Sequence, residues 1–251
     1  MVGSENKTGI VKDGFPSLPS DQLHIWKTAL VAEPRALEIC RAVLSEKELE
    51  RIPYFKFEKV RNNFIVSQGA LRILLGAYLG IEPNLVQFGR EKKGKPYSID
   101  DPALHFNISN SGNICVFAFS RTSEVGIDIE YLRELADLDE LIEKNFSAAE
   151  IGYINKKSDE RSRRFFRLWT IKESYLKAIG EGMRLTPDSL EFSIGSDSIK
   201  LLSVSGVFEI EDWKFEEFTP DDEYVGTITY MGDKTKISEV KSFESTVFSR
   251  V

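Results

Sequence analysis

Cysteine and histidine are almost missing from this chain, with two of each among 251 residues. Two cysteines, Cys40 and Cys115, allow at most one disulfide, and no spacing of Cys and His matches a zinc site, so a disulfide scaffold and a zinc module are both excluded. A reduced, cytoplasmic setting is expected. Long apolar runs are lacking too: the longest, 70–81, is interrupted by Arg72 and is too short to cross a bilayer, so no membrane association is expected. Residues 1–20 have no apolar stretch of the kind a signal peptide needs and read as a flexible leader. Basic charge is also short, 33 Lys and Arg against 40 Asp and Glu for a net charge of −7. A chain of that sign does not neutralise a phosphate backbone, which argues against nucleic acid as a general partner. Neither a Gly-rich phosphate loop nor a G-x-S-x-G elbow is present to suggest an NTPase or a hydrolase. His24 and His105 each fall in a strand-like run and read as structural.

With 41% hydrophobic residues, the chain can bury one large core or two smaller ones without covalent staples. Leu23 to Leu30 reads as a strand, and Glu33 to Leu49 has helical spacing with Ser45 as an N-cap inside it. A long amphipathic helix is predicted from Lys59 to Leu79, stopped by Gly80. Gly89 to Pro96 is a polar, basic turn region. Leu104 to Ile108 and Ile114 to Phe119 form a hairpin across Asn110-Ser111-Gly112-Asn113, and a third strand covers Glu124 to Glu130. Beyond Tyr131 the pattern is helical over Leu138 to Lys144, from Ser147 with Glu150 as its capping-box partner, and over Asp159 to Ile179. Four strands follow, at Leu190 to Ile194, Ile199 to Val204, Trp213 to Phe218 and Tyr224 to Tyr230. Helices and antiparallel strands thus recur twice in similar order. That predicts an α+β protein of two comparable halves, although no repeat is visible in the residues themselves.

Two segments carry chemistry. In Val125-Gly126-Ile127-Asp128-Ile129-Glu130 the strand period puts Asp128 and Glu130 on one face and Val125, Ile127 and Ile129 on the other. Two carboxylates so close need water or a cation between them, and hard oxygen ligands suit Mg²⁺; an ordinary strand with a wet acidic face fits as well. Gly126 hints at a close approach to the backbone, or at a bulge. In the helix 163–180, Phe165, Leu168, Trp169, Tyr175, Leu176 and Ile179 form an apolar stripe with Lys172 in its middle, while Glu173 and Lys177 lie i,i+4 at its edge. The plain account is a snorkelling lysine beside a surface ion pair. The sharper one places a phosphate-bearing ligand there, with Lys172 and Lys177 on its oxygens and Glu173 on a metal.

Together these segments resemble the Sfp-type 4′-phosphopantetheinyl transferase family, whose signatures are a strand G-[IV]-D-[IV]-E and a helix W-x-x-K-E-x-x-x-K. Here they read Gly126-Ile127-Asp128-Ile129-Glu130 and Trp169-Thr170-Ile171-Lys172-Glu173-Ser174-Tyr175-Leu176-Lys177, preceded by Gly94-Lys95-Pro96-Tyr97 and Phe106-Asn107-Ile108-Ser109. The resemblance spans about His24 to Phe192 and weakens in the final β-rich stretch. It implies a monomer of two pseudo-symmetric halves, each with helices packed on a small antiparallel sheet, and coenzyme A in the cleft between them. The implied division is a leader at 1–20, an N-terminal half at 21–125, a C-terminal half at 126–240 with the catalytic motifs, and a tail at 241–251.

Carried over by position, Asp128, Glu130 and Glu173 would be Mg²⁺ ligands. Glu173 would also accept the proton of the attacking serine, with Asp128 and Lys177 as the other catalytic groups and Lys172 and Lys177 neutralising phosphate. Arg51, Arg90 and the turn Lys93-Gly94-Lys95-Pro96 would hold the adenine nucleotide, with Asn107, Ser109 and Asn110 closing over it. The family usually reads F-N-[IL]-S-H-S, but Asn110 takes the histidine's place. An amide still donates a hydrogen bond yet carries no charge, so weaker coenzyme A binding is expected. The implied partners are acidic acyl or peptidyl carrier proteins, for which Lys156, Lys157, Arg161, Arg163 and Arg164 form a candidate docking face. A coenzyme A or carrier-binding module without chemistry, and a different Mg²⁺-dependent phosphotransferase or nuclease, stay open at this level.

Overall fold

The computed structural model of the chain describes residues 15–31, 33–91, 94–180, 185–195, 198–205, 212–232 and 236–243. Strand β1 (Gln22–Ala29) leads into α1 (Pro34–Ala42) and α2 (Glu46–Arg51), and the long α3 follows (Glu58–Leu79). The predicted helix 33–49 is therefore two helices. They part at Ser45, whose hydroxyl accepts from Glu48 N while the Glu48 carboxylate accepts from Ser45 N, a reciprocal cap that starts a new helix axis. Helix α3 ends where Gly80 turns left-handed at φ 69°. The polar segment after it holds a small hairpin, β2 (Phe88–Arg90) and β3 (Pro96–Ser98), and then come β4 (His105–Ser111) and β5 (Ile114–Ser120). Both faces of β5 are buried: Cys115, Phe117 and Phe119 enter a core with α3 and Trp26, while Val116 and Ala118 face the other way, with Leu23 and Ile25 of β1.

The second part repeats this plan. Strand β6 (Val125–Tyr131) is followed by α4 (Leu138–Asn145), α5 (Ala148–Ile154) and the long α6 (Arg161–Ile179), which ends at Gly180 with φ 67°. A separate two-stranded ribbon, β7 (Leu190–Ile194) with β8 (Ile199–Val204), precedes β9 (Trp213–Phe218) and β10 (Tyr224–Met231). Strands β6, β10 and β9 form one antiparallel sheet. Its outer face meets α6, and its inner face, with Val125, Ile127, Ile129, Ile228 and Tyr230, packs on the β1–β5 face. The layers run α3, first sheet, second sheet, α6, so the core between the sheets joins the two parts.

Two boundaries differ from expectation. Phe15 packs on Trp26 at 5.7 Å between ring centroids and Leu18 is buried, so the described end of the presumed leader belongs to the first core; residues 1–14 lie outside the described ones. The segment expected to end the C-terminal half and begin a tail instead lies along β1, where β11 (Lys236–Ile237) and β12 (Lys241–Ser242) pair in parallel and Phe243 enters the first core. The rest of the tail, 244–251, is outside the described residues. No helix among the described residues is long and apolar enough to cross a membrane.

Candidate functional site

The site lies where β4 runs beside β6. Strand β6 is paired only with β10 in its sheet, so alternate N–H groups on its other side need acceptors. Strand β4 supplies them from side chains two residues apart: Asn107 Oδ1 accepts from Ile127 N (3.1 Å), Ser109 Oγ from Ile129 N (3.4 Å) and Ser111 Oγ from Tyr131 N (3.0 Å). The serine hydroxyls in turn donate to the acidic pair, Ser109 to Asp128 Oδ1 at 2.8 Å and Ser111 to Glu130 Oε2 at 2.7 Å. The two carboxylates are thus aimed by the strand of the other sheet.

Helix α6 crosses the same face. A Cβ at Gly126 would stand 2.0 Å from the Ser174 carbonyl oxygen and 2.4 Å from Ala178 N, so the close approach implied by that glycine is the helix itself. Buried hydroxyl pairs fix its position on β10: Thr170 with Thr227 at 3.0 Å and Ser174 with Thr229 at 2.7 Å. This contact brings Lys177 over β6, where Nζ donates to Asp128 Oδ1 (2.7 Å) and to Ser109 Oγ (2.9 Å), with Ile127 O further off at 3.3 Å. Asp128 is only 5% exposed, which removes the wet-strand account for it. Its second oxygen, Oδ2, is buried with no hydrogen-bond partner among the described residues. A carboxylate oxygen held that way is costly unless a cation or donor meets it.

Glu173, one turn before Lys177, borders the same cluster. Burial first, and the charges of Asp128 and Glu130 after it, raise its carboxyl above the ordinary range, with Lys177 opposing. Beside it opens a cleft of about 690 Å³, a size that suits a nucleotide-bearing ligand. Arg90, Gly94, Lys95, Pro96, Asn107 and Ile108 line it from the first part, while Glu173, Leu176, Lys177, Gly180 and the segment 185–187 line it from the second.

The expected residues divide accordingly. Asp128, Glu173, Lys177, Asn107 and Ser109 converge, Glu130 adjoins them through Ser111, and Arg90, Gly94, Lys95 and Pro96 reach the cleft. Lys95 is engaged by Glu124 and the Ala178 carbonyl, and Arg90 donates to Gly94 O at 3.0 Å. Lys93 lies outside the described residues. Arg51 is exposed, with its guanidinium 4.8 Å from the Phe64 ring centroid, and does not line the cleft. Asn110 is exposed and alternates away from Asn107, Ser109 and Ser111 along β4.

Lys172 is the correction. It is 0% exposed and never reaches the cleft: Nζ donates to Glu150 Oε2 (2.7 Å) and to the carbonyls of Asn145 (2.9 Å), Pro187 (2.8 Å) and Leu190 (2.8 Å). An ammonium has three protons, and these acceptors use them all, leaving none for phosphate.

The basic stretch is largely neutralised as well. Arg164 and Lys157 pair with Glu160, Arg161 with Asp139 and Arg167 with Glu217. Lys156 and Arg163 are exposed and make no ion pair among the described residues. Sequence reasoning missed Ser111, Thr227 and Thr229. The period-two spacing of Asn107, Ser109 and Ser111 was the available signal, whereas the threonines of β10 gave none.

A cleft between two αβ parts that gathers carboxylates, a lysine and an arginine defines a class: a protein that handles a phosphorylated ligand with acidic and basic groups side by side. Comparison with known proteins places it within that class. A family model described as the 4′-phosphopantetheinyl transferase superfamily matches residues 124–229, and one described as 4′-phosphopantetheinyl transferase, N-terminal, matches 31–122. The 4′-phosphopantetheinyl transferase HetI of Nostoc sp. is 36% identical over 86% of this chain and 90% of its own length. Sfp of Bacillus subtilis, named a 4′-phosphopantetheinyl transferase, is 34% identical over 61% of this chain and 73% of its own. The L-aminoadipate-semialdehyde dehydrogenase-phosphopantetheinyl transferase of Xenopus laevis is 26% identical over 74% and 68%. The chain belongs to the 4′-phosphopantetheinyl transferase superfamily, a family of enzymes.

Proposed function

We propose that the enzyme transfers the 4′-phosphopantetheine arm of coenzyme A to a serine of an apo carrier protein, with the coenzyme in the cleft between the two parts. The observation that carries this is the knot of Lys177, Asp128 and Ser109 at the cleft, with the orphaned Asp128 Oδ2 and the raised carboxyl of Glu173 beside it. In the proposed step the serine oxygen bonds to the phosphorus that carries pantetheine. The P–O–P bond breaks, and 3′,5′-ADP leaves with the electron pair.

Glu173 takes the serine proton. It lines the cleft one turn before Lys177, where a carboxylate can meet the hydroxyl of an incoming serine. Lys177 screens Asp128, and its weakest contact, to the Ile127 carbonyl, is the one a phosphate oxygen would replace. Arg90 lies across the cleft for the nucleotide end.

Asp128, Glu130 and Glu173 are the residues that would hold Mg²⁺. The fit is supported by the hard Oδ2 of Asp128, unpartnered among the described residues, and by the burial, with the neighbouring carboxylates, that raises Glu173. Among the described residues no three acidic, His or Cys side chains are gathered closely enough to hold a metal by themselves, so an ion here would have to take part of its shell from phosphate and water. Bound there, Mg²⁺ supplies positive charge to the pyrophosphate oxygens. Of the proposed docking face, Lys156 and Arg163 remain available to an acidic carrier, flanking a groove of about 550 Å³.

The test is the intact mass of an apo acyl or peptidyl carrier protein incubated with enzyme, coenzyme A and Mg²⁺. One phosphopantetheinyl unit should be added, and Glu173→Gln should slow the addition by about 10²–10⁴-fold. Coenzyme A that binds but never labels any carrier would overturn the transferase reading.

A further inference from the structure

We propose that Lys172 is a positioning residue whose buried ammonium holds one wall of the cleft at its working distance from Glu173. The proposal rests on the reading of the cleft as the coenzyme A site.

Three backbone carbonyls from two segments meet at this one cation: that of Asn145 at the end of α4, and those of Pro187 and Leu190 in the chain after α6. Its charge is matched by Glu150, which also caps α5 by accepting from Ser147 N at 2.8 Å and takes Phe192 N at 2.9 Å. Phe146 lies under the ammonium at 4.7 Å. Of these groups Pro187 is the telling one, because with Leu185 and Thr186 it lines the cleft opposite Asn107. Lys172 and Glu173 are adjacent in α6, so the residue that pins the wall and the residue that faces the ligand move as one rigid unit.

The first part of the chain contains the same device. Arg72 Nε donates to Glu48 at 2.6 Å, and Arg72 Nη1 donates to the carbonyls of Pro83 (3.1 Å) and Val86 (3.0 Å). Arg72 and Lys172 stand the same eight residues before Gly80 and Gly180. In both parts a buried cation on the long helix ties down the chain beyond the helix's glycine stop. In the second part a clamped residue, Pro187, itself lines the cleft; in the first the clamped residues Pro83 and Val86 do not, and the chain reaches the cleft only further on, at Arg90. A purely apolar residue at 172 would leave three carbonyls unpaired, and an arginine would keep the charge but change the reach.

The experiment uses Lys172→Arg, Pro187→Gly and the double variant, each checked for a cooperative thermal transition, with coenzyme A binding measured by calorimetry and the KM values for coenzyme A and carrier measured separately. Each single change is expected to weaken coenzyme A binding about tenfold while leaving the carrier KM in place, and the double variant to be no worse than either single, since both release the same wall. Folded Lys172→Arg protein that binds coenzyme A like the wild type, or single effects that multiply, would overturn the proposal. If Lys172→Arg does not fold, Pro187→Gly decides alone: unchanged coenzyme A binding means that the wall's position is immaterial. Failure of the wild type to bind coenzyme A would sink the reading of the cleft instead.

Discussion

The two parts of the molecule are built on one scaffold and differ in what the scaffold presents. Each has an S-x-x-E cap, Ser45 with Glu48 and Ser147 with Glu150. The cap's glutamate reaches a buried cation on the long helix, 24 residues on in the first part and 22 in the second. Each cation clamps two carbonyls three residues apart, Pro83 and Val86 in one case and Pro187 and Leu190 in the other. The residues beside the cations diverge. After Lys172 come Glu173 and, a turn later, Lys177, facing the acidic strand; after Arg72 the same places hold Ile73, fully buried, and Ala77. The second part spends its helix face on chemistry and the first on packing. Buried ion pairs are weak evidence for stability in themselves, but removing one partner strands the other.

The comparison breaks most visibly at the first clamp. Arg72→Met leaves Glu48 uncompensated in the core, and denaturant melts should show about 3–5 kcal/mol of lost stability. What folded protein remains should keep a KM for coenzyme A near the wild-type value, because the two residues whose carbonyls that clamp holds, Pro83 and Val86, do not themselves line the cleft. A raised KM would mean that the two clamps are functionally alike.

A smaller effect separates the parts by pH. His24 is buried in the first part, bonded to Tyr78 at 2.8 Å, and burial, aided by the Lys241 charge, pushes its pKa down from 6.5 to about 4. Above pH 6.5 the ring is neutral folded and unfolded. Below it only the unfolded chain binds the proton, so stability falls as the pH drops and levels off near 4, by about 1–3 kcal/mol in all. Thermal melts of His24→Gln should lack this component between those limits. The second part has no buried histidine among the described residues, and an equal slope in the variant would locate the sensitivity elsewhere.

The smallest expected change sharpens what the first part contributes to binding. Asn110→His should tighten coenzyme A binding by about 1–2 kcal/mol at a pH where the imidazole is charged, with the gain fading as pH rises above the ring's pKa. Calorimetry at pH 6 and pH 8 checks both (conditions chosen to bracket an ordinary histidine pKa of about 6.5). No gain at either pH would mean that residue 110, exposed two positions beyond the cleft-lining Ile108, does not reach the ligand.

Much of this was legible in residue order alone. Local rules suffice for local features: period two in β6 put Asp128 and Glu130 on one face, the 3.6-residue period placed Glu173 and Lys177 at the edge of α6, and Gly80 and Gly180 ended their helices where only a left-handed residue fits. Local rules also flagged Lys172 as anomalous without saying why. An ammonium in an apolar stripe needs an anion, and nothing in the spacing separates a ligand phosphate from a glutamate 22 residues back. The internal repeat escaped for a similar reason: it survives only in a capping box, one cation, one glycine and one proline per part, too sparse to stand out against unrelated side chains between them.

Tertiary structure alone decided which partner each polar group found. The Asn107, Ser109 and Ser111 side chains acquire their role because β4 and β6 belong to different sheets yet lie edge to edge. Lys177 meets Asp128 because Gly126 lets α6 down onto the strand, and the last described strands return to β1 where residue order suggested the end of the C-terminal half and a tail. Conformational preference and hydrophobic period act over a few residues and are written in sequence. Electrostatic pairing and the burial that gives it strength act through space, so the chain specifies them only once it has folded.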